Sequence, residues 1–196
     1  MCNRYSITTN QAPIAALFRR LNRYVGNLES MPGVFPDFPA PVIRNAESDD
    51  AQEMVLMRWG LPPPRTGGPP VTNIRNTSSP HWRGWLAPQN RGLFPANVVW
   101  FALDDSRPLF TWAGIWTTFN GDCGTKSKPI PRPHLVYGFL TTAPNAVVAP
   151  IHPKAMPAAE NAADSYARSV KKAAEPSLAG KREKPINAKP VKKKTG

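Results

Sequence analysis

Proline occupies 24 of the 196 positions, more than twice the average usage of about 5%. Each proline lacks a backbone N–H, and its ring collides with the carbonyl four residues back, so helix interiors reject it. Long helices should therefore be few, and strands, turns and extended loops should dominate. The length suits one domain with extensions, or two small domains at most. With 41% hydrophobic residues and six tryptophans, the chain has the material for a real core.

The apolar pattern divides the chain. Residues 3–9 read as extended. Thr9 and Asn10 can cap a helix over Gln11–Tyr24, where Ile14, Leu17, Phe18 and Leu21 recur at helical spacing. A proline-rich loop over 31–45 leads into a strand at Ala40–Asn45. A second strand, Glu53–Trp59, completes a hairpin with Asp49 and Asp50 in its turn. Gly60–Pro70 is loop, Val71–Ile74 is short and extended, and Ser79–Leu86 is a short helix or turn. Strands are expected at Val98–Leu103, Leu109–Thr117 and Val136–Thr142. A polar, basic loop spans Gly121–Pro133, and Pro144–Val148 suits a brief helical turn. Residues 158–196 are rich in Ala, Lys, Glu and Pro, with no pattern that could form a core. They are expected to be a mostly disordered basic tail behind a domain over 1–157.

The charge is lopsided: 25 Lys and Arg against 13 Asp and Glu, net +12. Such a balance favours a polyanion, most often nucleic acid, through phosphate neutralisation and counterion release. The two cysteines, Cys2 and Cys123, make a disulfide framework implausible, and no Cys/His cluster has zinc-ligand spacing. No metal or other cofactor is implied. The first twenty residues do not resemble a secretory signal, and no run approaches the ~20 apolar residues of a membrane span. A reducing cytoplasm and no membrane partner are expected.

Position two is the chemically distinctive one. A small residue after Met1 normally allows the methionine to be trimmed, which would leave Cys2 with a free thiol beside a free α-amine. Such a 1,2-aminothiol captures aldehydes. The amine forms an imine and the thiol closes it to a five-membered thiazolidine. Both groups titrate close to neutrality, at about 7.7–8.0 and about 8.5, so neither needs a large shift to react.

Several segments, read in order, resemble one family: Met1-Cys2-Asn3-Arg4-Tyr5, Met57-Arg58-Trp59-Gly60-Leu61, Asn73-Ile74-Arg75-Asn76-Thr77, Asn90-Arg91-Gly92-Leu93-Phe94-Pro95-Ala96, Phe110-Thr111-Trp112-Ala113-Gly114-Ile115-Trp116, Thr141-Thr142-Ala143-Pro144-Asn145 and Ile151-His152-Pro153-Lys154-Ala155-Met156-Pro157. Together they resemble the SRAP family of SOS response-associated peptidases, or abasic-site processing proteins, over about residues 1–157.

The resemblance implies an α+β fold around a β-barrel-like, mostly antiparallel sheet, with a groove for single-stranded DNA. It implies a thiazolidine cross-link between the N-terminal cysteine and the ring-opened aldehyde of an abasic site, and self-removal of the initiator methionine. Carried over residue by residue, Cys2 is the nucleophile, Asn73 orients the abasic sugar and His152 assists proton transfer. The chemistry is compatible. Histidine shuttles protons near neutral pH, and an amide donates to a sugar oxygen while accepting from an amine. Arg4 and Arg75 suit phosphate oxygens, and Lys154 falls where the family has a basic groove residue. Trp59 and Trp82 are candidates for base stacking, with a core role as the alternative for Trp59, whereas Trp112 and Trp116 read as core. The implied partner is abasic single-stranded DNA, the protein a monomer associated with the nucleoid.

Two departures stand out. The family's glutamate-bearing stretch after Leu-x-Pro-Ala is absent, and no Glu occurs between Glu53 and Glu160. Asp104 and Asp105 are poor substitutes. After Met156-Pro157 the usual aliphatic strand and Trp-bearing helix give way to the Ala/Lys tail, which would leave a sheet edge exposed. Besides a cross-linking protein, the sequence therefore admits a non-catalytic DNA binder and an N-terminal nucleophile hydrolase acting on peptides.

Overall fold

The computed structural model describes residues 4–9, 11–18, 21–23, 28–46, 52–96, 101–102, 109–125, 127–146, 148–150, 152–160 and 189–190. Their elements run, in chain order, β1 (Tyr5–Ile7), α1 (Gln11–Leu17), β2 (Leu21–Arg23), β3 (Met31–Val34), β4 (Pro39–Asn45), β5 (Gln52–Trp59), β6 (Asn73–Ile74), a 3-10 helix over Pro80–Leu86, β7 (Arg91–Ala96), β8 (Phe101–Ala102), β9 (Phe110–Phe119), β10 (Gly124–Thr125), β11 (Lys128–Pro129), β12 (His134–Thr142), β13 (Met156–Pro157), β14 (Ala159–Glu160) and β15 (Lys189–Pro190). Strands and turns dominate, as the proline content requires.

Five strands close on themselves. The order is β12-β5-β4-β7-β9, and β9 pairs back onto β12. All of these contacts are antiparallel except β12 with β5, where Val136 lies beside Arg58 and Tyr137 beside Trp59. This is the α+β, barrel-centred architecture expected, and closure removes the open edges a flat sheet would have.

Alternation along the strands sorts side chains into two cores. Tyr137 and Phe139 of β12 and Phe110, Trp112 and Trp116 of β9 point into the barrel. They meet Tyr5, Trp59, Phe94, Met54 and Met57 there. Val136 and Ile115, on the outer face, pack with Leu61, Ile74 and Trp82 under the 3-10 helix. Gly114 of β9 has no room for a side chain, because an added Cβ would meet the Phe94 ring and the Gly138 carbonyl. The barrel wall closes that tightly only because the residue is glycine.

Four expectations are corrected. The helix over Gln11–Tyr24 stops at Leu17, and Leu21–Arg23 instead pairs in parallel with Gln52 and Glu53 of β5. Ile14 and Phe18 are buried as the helical spacing required. Beyond them the hydrogen-bonding edge of β5 outweighs local helical preference. Second, β7 is a strand where Gly92 and Pro95 weaken the sequence pattern. It nevertheless pairs with β9 over six positions, from Arg91 opposite Ile115 to Ala96 opposite Phe110. Third, the basic loop at Gly121–Pro133 contains the small hairpin β10–β11.

Fourth, residues 158–160 continue the sheet instead of starting a tail. β13 pairs with the end of β12 and β14 with β9. Ala158 N–H donates to Leu140 O at 2.9 Å, while Ala113 N–H donates to Ala158 O at 2.9 Å. The segment fills the gap where β9 and β12 diverge, which covers the edge expected to lie open. Lys189–Pro190 pairs with Phe101–Ala102. The rest of 161–196, like the expected turn at Asp49 and Asp50, lies outside the described residues.

Candidate nucleic-acid site at the end of the barrel

β12 is longer than its barrel partners need, and its C-terminal end collects short segments. On one edge lies β6, with Asn73 beside Phe139 and Ile74 beside Leu140. On the other lies β13, with Thr141 opposite Pro157 and Thr142 opposite Met156. Thr141 Oγ1 donates to Ile74 O at 3.0 Å and ties β6 to the strand end. Between these segments is a cavity of about 120 Å³, lined by Asn73, Arg75, Thr141, Lys154, Ala155, Met156 and Pro157. Two of the lining residues, Arg75 and Lys154, are cationic and exposed, the lining surface is otherwise mostly apolar, and among the described residues no carboxylate lines it. Cations at such a rim suit a phosphate or another anion.

Three of the expected residues, Asn73, Arg75 and Lys154, therefore converge here, although 79 positions separate Arg75 from Lys154 in sequence. Asn73 is half-buried, and its Nδ2 donates to Thr72 Oγ1 at 2.8 Å. His152 stands two residues before Lys154 and closes a helical turn. Asn145 O accepts from Ala149 N–H at 2.9 Å, and Val148 O accepts from His152 N–H at 2.7 Å. Val148 N–H also donates to Asn145 Oδ1 at 2.9 Å. The half-buried His152 side chain is not among the described lining of the cavity. Thr141 was missed as a site residue. It carries no chemistry to single it out, and only strand pairing brings it to the cavity.

Trp59 and Trp82 are corrected. Trp59 is fully buried and Trp82 nearly so, so neither offers a face to a base. Trp59 acts through the backbone: its Nε1–H donates to Thr72 O at 3.1 Å, next to Asn73. Trp112 and Trp116 are core, as read.

Arg4 is exposed, donates to Pro32 O at 3.3 Å and lies over the Phe35 ring. Tyr5, its neighbour, is fully buried between Trp59, Trp112 and Phe139, with ring centroids 5.2, 5.3 and 5.3 Å away. The Tyr5 and Tyr137 hydroxyls share a hydrogen bond of 2.5 Å. Burial raises the pKa of both phenols well above the usual 10.0. Tyr5 is thus pinned on the same aromatic residues, Trp59 and Phe139, that flank the backbone of Thr72 and Asn73.

Cys2 lies outside the described residues, as do Asp104 and Asp105. Glu53 is held in an ion pair. Its carboxylate accepts from Arg44 Nε at 2.7 Å, and the Arg44 guanidinium sits 4.4 Å over the Trp116 ring. Among the described residues, no helix is long and apolar enough to cross a membrane.

The fold is similar to three solved structures. A phage-related protein from Bordetella bronchiseptica matches at 16% identity, with 98% of this chain and 95% of that one covered and a TM-score of 0.62. A protein from Bacteroides thetaiotaomicron matches at 18% identity over 91% and 83%, TM-score 0.60. A second Bordetella bronchiseptica protein matches at 16% over 82% of each chain, TM-score 0.55. No curated protein matches the chain. The sequence model of one family, "SOS response associated peptidase (SRAP)", spans residues 1–196, and with its motifs in order and its barrel closed the chain belongs to that family.

Proposed function

We propose that this protein recognises abasic sites in single-stranded DNA and captures them covalently through Cys2. Family membership supports a role connected with the SOS response to DNA damage in general terms. The observation that carries the finer reading is the cavity in which Asn73, Arg75 and Lys154 meet without a carboxylate among the described lining residues. The buried anchor at Tyr5 supports it. Three residues of chain span at most about 11 Å, so the first residues are leashed to the aromatic cluster that borders Asn73.

In this reading Arg75 and Lys154 hold the phosphates on either side of the lesion. Asn73 bonds a hydroxyl of the opened sugar. The Cys2 amine adds to the C1′ aldehyde and water leaves to give the imine. The Cys2 sulfur then attacks the imine carbon, and its proton passes to the nitrogen as the thiazolidine closes. His152 is the candidate for carrying the protons of ring opening and dehydration. Aldehyde capture needs only the amine and thiol. Acid–base assistance is worth typically 10²–10⁴-fold, so without the family glutamate the reaction is slowed and not abolished. Self-removal of Met1, a peptidase-like step, depends more on that group.

A second reading, a DNA binder without covalent chemistry, is favoured by one observation: Glu53 is committed to Arg44, and neither is among the described residues that line the cavity. The two separate on a denaturing gel with an oligonucleotide carrying one abasic site. The covalent reading expects a shifted band from the parent and none from Cys2→Ala. Salt-sensitive binding without that band leaves the second reading standing. The intact mass of the protein reports whether Met1 has left and the aminothiol is unmasked.

A further inference from the structure

The short segment that carries Asn73 is clamped residue by residue. Val71 N–H donates to Leu61 O and Leu61 N–H donates to Val71 O, each at 2.9 Å. Thr72 O accepts twice, from Trp59 Nε1–H at 3.1 Å and from Phe139 N–H at 3.0 Å, which engages both lone pairs of that carbonyl. Ile74 O accepts from Thr141 Oγ1 at 3.0 Å. Trp59 and Phe139 are fully buried, so the backbone of Thr72 is tied directly to the close-packed barrel interior.

The Thr72 side chain stands half-buried on this fixed base. Its hydroxyl oxygen accepts from Asn73 Nδ2 at 2.8 Å. That bond is not what holds the strand, because Thr72 is anchored through its carbonyl. It acts on the amide. An asparagine side chain has a donor end and an acceptor end, and half a turn exchanges them. With Nδ2 drawn to Thr72, Oδ1 occupies the other branch of the side chain. A carbonyl oxygen takes two donors, so Oδ1 can accept from a ligand whatever else it meets. Asn73 lines the cavity together with Arg75 and Lys154.

We propose that Thr72 is a positioning residue: its hydroxyl fixes the Asn73 amide so that a ligand in the cavity meets the carbonyl oxygen, and the site thereby selects a hydroxyl lying beside a phosphate. The proposal rests on the abasic-site reading above and deepens it. Within an intact DNA strand both sugar hydroxyls are esterified to phosphate and the ring oxygen is an ether, so the sugar offers no O–H donor. Opening an abasic sugar frees one. An acceptor held on a rigid strand distinguishes the two states, whereas an amide free to turn presents its donor end to either.

Two unreactive lesions separate the hydroxyl from the phosphates. A borohydride-reduced abasic site is open and keeps the freed hydroxyl, and a tetrahydrofuran site is a closed ether without it. Neither carries an aldehyde, so the full chain is used unaltered with fluorescent single strands. By anisotropy the parent should prefer the reduced site about fivefold, the effect of one hydrogen bond. Thr72→Val should abolish the preference and leave affinity for the tetrahydrofuran site and the thermal midpoint unchanged. Thr72→Ser should keep the preference. A preference that survives Thr72→Val, one that Thr72→Ser loses as well, or a parent without any would overturn the proposal.

Side-chain amide exchange reads the positioning without DNA. The Asn73 Nδ2 protons are identified by their absence from the nitrogen-15 spectrum of Asn73→Asp. They should exchange with water at clearly unequal rates in the parent and in Thr72→Ser, and at more nearly equal rates in Thr72→Val. Exchange unaltered by Thr72→Val also overturns the assignment. The cross-linking gel keeps the two ideas separate. If covalent capture fails alone, no adduct forms but the threonine-dependent preference persists. If the positioning fails alone, the parent forms the adduct while Thr72→Val binds both lesions as the parent does.

Discussion

The barrel interior and the cavity at its end are built from the same strand, β12, in opposite ways. Inside, Tyr137 and Phe139 are locked among Tyr5, Trp59, Phe94 and Trp112 by ring contacts at 4.6–5.7 Å, and long strands carry the load. At the end, two-residue strands, β6 and β13, bring Asn73, Arg75 and the neighbourhood of Lys154 to the edges of Thr141 and Thr142. The first region tolerates little change. The second carries the exposed Arg75 and Lys154 and is cheap to alter in stability. Rigid scaffold and adaptable rim are separated by only two or three residues of one strand.

Substitutions should divide along that line. The largest stability effect is expected inside: Trp59→Ala leaves a cavity the size of an indole and frees the Thr72 carbonyl, for a loss of about 3–5 kcal/mol in a denaturant melt. Glu53→Ala strands the buried Arg44 guanidinium, and breaking a buried pair from one side costs about 3–5 kcal/mol. Solvent offers little relief here, since both side chains are only 11–12% accessible. DNA binding measured below the melt should be little altered by Glu53→Ala, because neither member of the pair is among the described residues that line the cavity.

Tyr5→Phe removes one side of the Tyr5–Tyr137 hydrogen bond and should cost about 1 kcal/mol. It also carries a pH signature. The folded state holds these phenols protonated beyond their normal range, so above pH 10 the unfolded chain releases protons that the folded chain keeps. Stability is then unaffected by this pair below the ordinary pKa of 10.0 and falls as the pH rises above it. The variant, with one phenol fewer, should show a shallower alkaline decline. A steeper one would mean that burial is not what raises these groups.

At the rim, Arg75→Ala and Lys154→Ala should each move stability by no more than about 0.5 kcal/mol. Each should weaken single-stranded DNA binding and reduce the salt slope by about 0.7, the value for one phosphate contact on a single strand. If either destabilised the fold as much as Trp59→Ala, the division between scaffold and rim would be wrong.

Much of this was legible in the chain. The β4–β5 hairpin, β9 and β12 show their alternation openly, because half-buried strands must repeat every two residues. Trp112 and Trp116 read as core for the same reason. Asn73, Arg75 and Lys154 could be nominated because they sit in motifs. β7 was hidden by Gly92 and Pro95, and the strand at Leu21–Arg23 by its helical spacing. In both places a neighbouring strand edge, not the local residues, decides the conformation. Trp59 and Phe38 show the same limit from the other side. Composition alone gives either aromatic an equal claim to the surface.

From the amino acids alone came the preference for strands over long helices, the cationic excess and a cysteine at position two, since these follow from proline geometry, charge and covalent chemistry. Closure of the barrel, the burial of Trp59, the exposure of Phe35 and Phe38 and the meeting of Arg75 with Lys154 belong to the tertiary structure. Each depends on which strand edges pair, and backbone hydrogen bonds between distant segments leave no local mark on the residues that make them.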